Sequence, residues 1–148
     1  TWSHPALPKL SPTAFANEIT QTTDIIEKTT GVRTGIMRPP YGALNATVSK
    51  RLLDEFGLSI ILWSVDPLDW KIRNKDHVYS EITKKTVPGA IVLSHDIHAS
   101  TIDAMPSTLD ALAAKGYKFV TVSELISMDK PKAANSPDRP GNKKSSAR

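Results

Sequence analysis

Ile91-Val92-Leu93-Ser94-His95-Asp96-Ile97-His98 is an apolar run that stops abruptly at a group of titratable side chains. A short apolar run of this kind reads as a buried strand, and in sheets built from strand-helix repeats the chemical groups collect at the carboxyl ends of the strands. Two other stretches have the same form. Gly35-Ile36-Met37 leads into Arg38-Pro39-Pro40-Tyr41-Gly42, and Ile60-Ile61-Leu62-Trp63 leads into Ser64-Val65-Asp66-Pro67-Leu68-Asp69-Trp70. Three successive strands thus end in Arg/Tyr, Asp/Trp and His, which predicts that they converge on one site.

The segments between these strands have helical spacing. Ser11-Pro12 offers a capping hydroxyl and a first-turn proline, after which Phe15, Ile19, Thr22 and Ile26 recur at helical intervals to about Lys28, and Gly31 ends the run. Asn45 can cap a helix from Ala46 to Phe56, with Val48, Leu52 and Phe56 on one face. Leu58 to Trp63 is continuously apolar, as suits a strand covered on both faces. Asp76 is expected to open a helix that ends near Lys84-Lys85, where the helix dipole favours cations. Ala90 to Leu93 follows as a strand, then a helix from about Met105 to Lys115 with Pro106 in its first turn. Tyr117 to Thr121 reads as a strand and Ser123 to Met128 as a short capped helix. Four strand-helix units in register predict an α/β fold with a parallel sheet or barrel. A complete (β/α)8 barrel takes about 250 residues. This chain has 148, so the expectation is an open sheet or a barrel lacking an upstream portion.

The chain is 39% hydrophobic, enough to bury the core of a single domain. No run approaches the ~18 consecutive apolar residues of a membrane span, and Thr1-Trp2-Ser3-His4-Pro5 is no signal peptide. An opening inside what reads as a loop motif suggests a fragment or a processed chain. The absence of cysteine excludes disulfides and zinc-thiolate sites within the chain. The net charge of +4 belongs entirely to residues 129–148, which hold six basic and two acidic side chains; the body before them is neutral, with thirteen of each. That Pro-, Ser-, Asn- and Lys-rich stretch is expected to be a disordered tail that adds nothing to the fold, either a solvated terminus or a weak attractor of anionic polymer. A nucleic-acid-binding module would rest on that tail alone, since the body shows no basic stripe.

Several residues could carry chemistry. Histidine is the side chain that titrates nearest neutrality, and His95, at a strand end beside Asp96 and His98, suits a general acid or base, or else a structural histidine held by hydrogen bonds. His98 could instead be a metal ligand through the His-x-x-His spacing, although that spacing serves metals on helices and here it follows a strand. Asp69, beside Trp70, could orient an imidazole or merely cap a turn. Arg38 lies on a backbone stiffened by two prolines, which suits bidentate pairing with a carboxylate.

Taken together, Ser3-His4-Pro5, Arg38-Pro39-Pro40-Tyr41-Gly42, Asp66-Pro67-Leu68-Asp69-Trp70 and Leu93-Ser94-His95 resemble the second to fifth motifs of the polysaccharide deacetylases (NodB homology domain, carbohydrate esterase family 4), in order and at fitting spacing. Within that family the resemblance points to the bacterial peptidoglycan N-acetylglucosamine deacetylases, and it covers residues 1–128. It implies the C-terminal portion of a distorted (β/α) barrel and metal-dependent hydrolysis of N-acetyl groups on a glycan polymer, usually with zinc, at the cell surface or outside the cell. It also implies roles. His4 matches the second histidine ligand of the metal. Arg38 pairs with the catalytic aspartate, and the Tyr41 backbone N–H helps form the oxyanion hole. Asp69 tunes His95, the general acid, while Trp70 and Leu93 wall the acetyl pocket. A polarising metal and a preset oxyanion donor are what amide hydrolysis requires.

The sequence departs from the family at its first motif. That motif supplies the catalytic base and the metal aspartate as an Asp-Asp pair, and no such pair occurs in these residues. The expectation is therefore a C-terminal piece whose N-terminal half is a separate chain or was removed, inactive alone. A non-catalytic glycan-binding remnant that keeps Tyr41 and Trp70 as sugar platforms is the alternative, and chitin oligomers or acetylated xylan are alternative substrates.

Overall fold

Ser11 accepts a hydrogen bond from the Ala14 N–H at 3.3 Å and starts helix α1, Pro12–Thr30, which closes at Gly31 in the left-handed region (φ 72°). In this computed structural model, which describes residues 1–128, the expected basic tail at 129–148 lies outside the described residues. Phe15 and Ile19 face the core as expected. The next inward position is Thr23 rather than Thr22, because i+4 steps from Phe15 lead there, and its hydroxyl is satisfied by the Ile19 carbonyl at 3.1 Å.

Strand β1, Ile36–Met37, precedes helix α2, Ala46–Asp54, and strand β2, Ser59–Ile60. Asn45 caps α2 through the Val48 N–H at 2.8 Å. The two strands are parallel, with Ile36 opposite Ser59 and Met37 opposite Ile60. Bonds from the Ser59 N–H to the Gly35 carbonyl (2.9 Å) and from Ile61 to Met37 (2.8 Å) extend the pairing on either side. Leu7, Phe15, Ile19, Val48, Leu52 and Leu58 form one core beneath this pair.

The chain from 59 onward then changes neighbour. Val65 bridges Val92 in parallel, the Ser64 N–H bonds to the Ile91 carbonyl at 2.9 Å, and the Leu93 N–H bonds to the Val65 carbonyl at 2.9 Å. The middle segment thus pairs with 36–37 at its start and with 91–93 at its end, all three running the same way. The three motif loops consequently emerge at one end of this layer.

Helix α3, Lys75–Lys85, is capped by Asn74, which accepts from the His77 N–H at 2.9 Å. Asp76, expected to open it, sits inside its first turn instead. Helix α4, Ala99–Ala114, begins six residues earlier than expected. Its buried stripe of Thr101, Ala104, Thr108 and Leu112 runs straight through, and Pro106 lies on the exposed side, where water can serve the carbonyl that proline's missing N–H leaves unpaired. Val78 and Ile82 of α3 pack on Ala104 and Leu112 of α4 as a second core.

The fourth strand, expected at Tyr117 to Thr121, does not form among the described residues. A strand needs a neighbour for its ladder, and Phe119 and Val120 are exposed there. Helix α5, Val122–Met128, is capped by Thr121 rather than within Ser123–Met128. The Thr121 hydroxyl accepts from the Glu124 N–H (3.2 Å) while the Glu124 carboxylate accepts the Thr121 N–H (2.7 Å).

Candidate active site

Asp69 and His95 meet across the layer. The Asp69 side chain is fully enclosed, at 0% exposure, and each of its oxygens accepts two hydrogen bonds. Oδ1 takes the His95 ring at Nδ1 (2.8 Å) and the Trp70 N–H (2.9 Å). Oδ2 takes the His95 backbone N–H (2.7 Å) and the Thr101 hydroxyl (2.9 Å). Burial alone pushes a carboxyl up, but the bonds from the His95 ring, the His95 backbone and Thr101 outweigh it and hold Asp69 below the usual carboxylate range. An ionised carboxylate only accepts, so Nδ1 of His95 carries the hydrogen of this contact and Nε2 is the ring's other nitrogen. The ring is partly exposed, with 27% of the side chain open to solvent. The arrangement can deliver a proton at Nε2 while the carboxylate behind it stabilises the charged ring.

Among the described residues, three non-glycine residues have left-handed backbones, and each falls in a motif loop: His4 (φ 61°), Tyr41 (φ 60°) and Leu68 (φ 54°). Such conformations persist where surrounding structure imposes them, and they cluster at functional sites. At Tyr41 the turn is tight: the N–H groups of Gly42 and Ala43 return to the carbonyls of Pro39 and Pro40, both at 3.0 Å. The Tyr41 N–H bonds to no carbonyl among the described residues. Tyr41 is 71% exposed, and its ring meets the His4 imidazole edge-on, with centroids 4.7 Å apart. His4 is set in place from α1: Glu18 receives both the N–H and the hydroxyl of Ser3 on its carboxylate, and its main-chain carbonyl takes the Trp2 N–H at 3.2 Å. The Ser3 bonds hold the Glu18 carboxyl below its ordinary range.

Of the remaining expected residues, Leu93 is buried and Trp70 half-exposed, each beside the Asp69–His95 pair in sequence. Arg38 is exposed and takes part in no ion pair among the described residues. His98 occupies the residue before α4, its ring centroid 6.3 Å from that of His95. Among the described residues no three His, Asp or Glu side chains gather as a metal site. Catalytic zinc takes three protein ligands; His4 offers one imidazole, so these residues do not by themselves fit the ion.

Sequence reading missed Thr101, Glu18 and Trp63. Thr101 was missed because the helix was expected to begin at about Met105, four residues beyond it, whereas it begins at Ala99. Glu18 had no signal, since its partner is fifteen residues away on a different element.

The parallel layer with the His4, Arg38–Gly42, Asp66–Trp70 and His95 loops at one end defines the class: the fold is the C-terminal portion of a distorted (β/α) barrel of the polysaccharide deacetylase type, and residues 1–61 match the family described as polysaccharide deacetylase. More particularly, the sequence is 44% identical over 125 residues to the peptidoglycan-N-acetylglucosamine deacetylase PgdA of Listeria monocytogenes, across 84% of this chain and 26% of that protein. The solved structure of the peptidoglycan deacetylase PdaC from Bacillus subtilis superposes with a TM-score of 0.80 at 38% identity, covering 86% of this chain and 61% of that one. A CE4 family pseudoenzyme from Bacillus anthracis superposes with a TM-score of 0.76 at 32% identity, over 84% of this chain and 43% of that one. The chain thus spans about a quarter of PgdA's length and about three fifths of the PdaC structure.

Proposed function

We propose that residues 1–128 are the C-terminal part of a catalytic domain that removes N-acetyl groups from peptidoglycan N-acetylglucosamine, at the bacterial cell surface or outside the cell. The observation that carries this reading is the Asp69–His95 pair, buried on the aspartate side and open on the imidazole side, at the end of the parallel layer. In the reaction, water oxygen adds to the acetyl carbon, the C–N bond breaks, and the departing amine takes a proton from Nε2 of protonated His95. Asp69 keeps Nδ1–H in place through both protonation states. The Tyr41 N–H, which bonds to no carbonyl among the described residues, is the donor for the tetrahedral oxyanion, and Trp70 and Leu93 form the apolar wall for the acetyl methyl.

The water needs a base other than His95, which is the proton donor to the amine. In this reading the base and the remaining metal ligands come from an N-terminal half carrying an Asp-Asp pair, supplied as a separate chain or by a longer polypeptide. Arg38, uncommitted here, pairs with that base carboxylate, and His4 is one ligand of a divalent ion, zinc in the first instance. Resemblance to PgdA at 44% identity favours N-acetylglucosamine. A non-catalytic, glycan-binding role is the second reading, favoured by the Bacillus anthracis pseudoenzyme among the structural relatives.

Acetate release from N-acetylglucosamine oligomers, measured on this chain joined to the half that carries the Asp-Asp pair, tests the reading. Turnover that disappears in His95→Ala with the bound metal retained supports it. Loss of the metal in that variant would make His95 a ligand, and glycan binding without any acetate release would establish the second reading.

A further inference from the structure

We infer that Thr101 is a positioning residue for the His95 site: its buried hydroxyl locks the rotation of the Asp69 carboxylate and, through it, the orientation of the His95 imidazole. This goes beyond the deacetylase reading while resting on it. Of the four donors to Asp69, one is the backbone of its neighbour Trp70 and two belong to His95 itself. Among the described residues Thr101 is the only donor from a third element, the first turn of α4, and both it and Asp69 are buried at 2% exposure or less. The terminal torsion of an aspartate is broad and roughly two-fold, so the side chain's own geometry does not choose which oxygen faces Nδ1. Pinning Oδ2 from outside does.

Six helical threonines, Thr20, Thr22, Thr23, Thr30, Thr83 and Thr108, each return their hydroxyl to the carbonyl four residues earlier. Four residues before Thr101 is Ile97, outside the helix, and the hydroxyl turns to Asp69 instead. Its branched Cβ restricts the χ1 that aims it. The arrangement ties the start of α4 to the proton-delivering ring, so a shift of that helix would move Nε2.

The test is Thr101→Val and Thr101→Ser in the complete deacetylase domain, with Thr101→Ala replacing valine if its second methyl prevents folding. Valine matches threonine in shape and lacks only the donor. The expected result is a kcat lowered by about 10- to 100-fold, the scale of a small misplacement at a reacting centre, with KM unchanged. The His95 Nδ1–H proton resonance broadens or disappears in the same variant, which a purely structural contact would not cause in a protein of unchanged fold. Thr101→Ser, which restores the hydroxyl, recovers most of the rate and the resonance. Wild-type kcat and an intact resonance in Thr101→Val, or equal impairment of the valine and serine variants, would overturn the inference. A wild type that releases no acetate, or a His95→Ala variant that turns over normally, would instead sink the deacetylase reading; the resonance comparison still decides whether Thr101 holds the ring.

Discussion

A Cβ built on Gly42 would stand 3.1 Å from the outer edge of the Trp63 indole, at a backbone φ of +64°. The Arg38–Gly42 loop therefore lies directly on the end of the neighbouring strand segment, and the fit depends on glycine twice, for conformation and for space. Gly42→Ala should destabilise the fold by about 1 to 3 kcal/mol, the cost of a left-handed non-glycine residue with crowding added. Denaturant midpoints measure it. Trp63→Leu should recover only the crowding part; full recovery in the double variant would show that the backbone angle is immaterial.

Asp69→Asn should lower kcat far more than it changes KM. An amide in that position carries an N–H where Asp69 offers only acceptors, so it confronts donors from His95, Thr101 or Trp70 and cannot balance a charged ring. By analogy with the aspartate behind other catalytic histidines the loss is roughly 10²- to 10⁴-fold. Steady-state kinetics on N-acetylglucosamine oligomers check it, and a rate within a few-fold of wild type would remove Asp69 from the proton path.

The depressed Asp69 carboxyl also has a consequence for stability. Free aspartate titrates near about 3.9, and the folded value is lower, so the carboxylate's contribution is complete above the unfolded value and is lost as pH falls through the folded one. The melting-temperature gap between wild type and Asp69→Asn should therefore be widest above about pH 5 and narrow steadily below about pH 4. A gap independent of pH would mean that the ionised form is not what the site stabilises.

Glu18 should be needed for the His4 loop rather than for the core. Glu18→Ala removes both side-chain contacts to Ser3, so amide hydrogen exchange at Ser3 should accelerate while exchange at Leu52 stays slow. Glu18→Gln, which can still accept from the N–H and donate to the hydroxyl, should restore most of the protection. Unchanged exchange in the alanine variant would show that the loop holds itself.

Produced alone, the chain should aggregate or remain poorly folded and release no acetate. Phe119 and Val120 have no strand partner among the described residues, Ile126 and Met128 of α5 are exposed, and no three His, Asp or Glu side chains gather as a metal site among the described residues. Co-expression with the half bearing the Asp-Asp pair should restore solubility, zinc content and turnover together. Stoichiometric zinc and measurable turnover from the chain alone would refute this.

Local chemistry made much of this protein legible from its residues. Ser11, Gly31 and Asn45 act through neighbours three or four positions away, and three motif loops follow apolar runs, so caps, turns and the strand-end positions of Arg38, Tyr41, Asp69, Trp70 and His95 could be read directly, whereas His4 was singled out only by the family resemblance. What depends on a distant partner could not. The strand expected at 117–121 has no ladder among the described residues, because pairing is a property of two segments. Helix α4 runs through Pro106 because its buried stripe packs against Val78 and Ile82, and tertiary packing outweighs one missing hydrogen bond. The bonds from Thr101 to Asp69 and from Ser3 to Glu18, and the seat of Trp63 over Gly42, span fifteen to thirty-two residues. Only the folded chain brings those atoms within reach, since a hydrogen bond or a contact of a few ångströms leaves no mark on residue spacing once its partners belong to different elements.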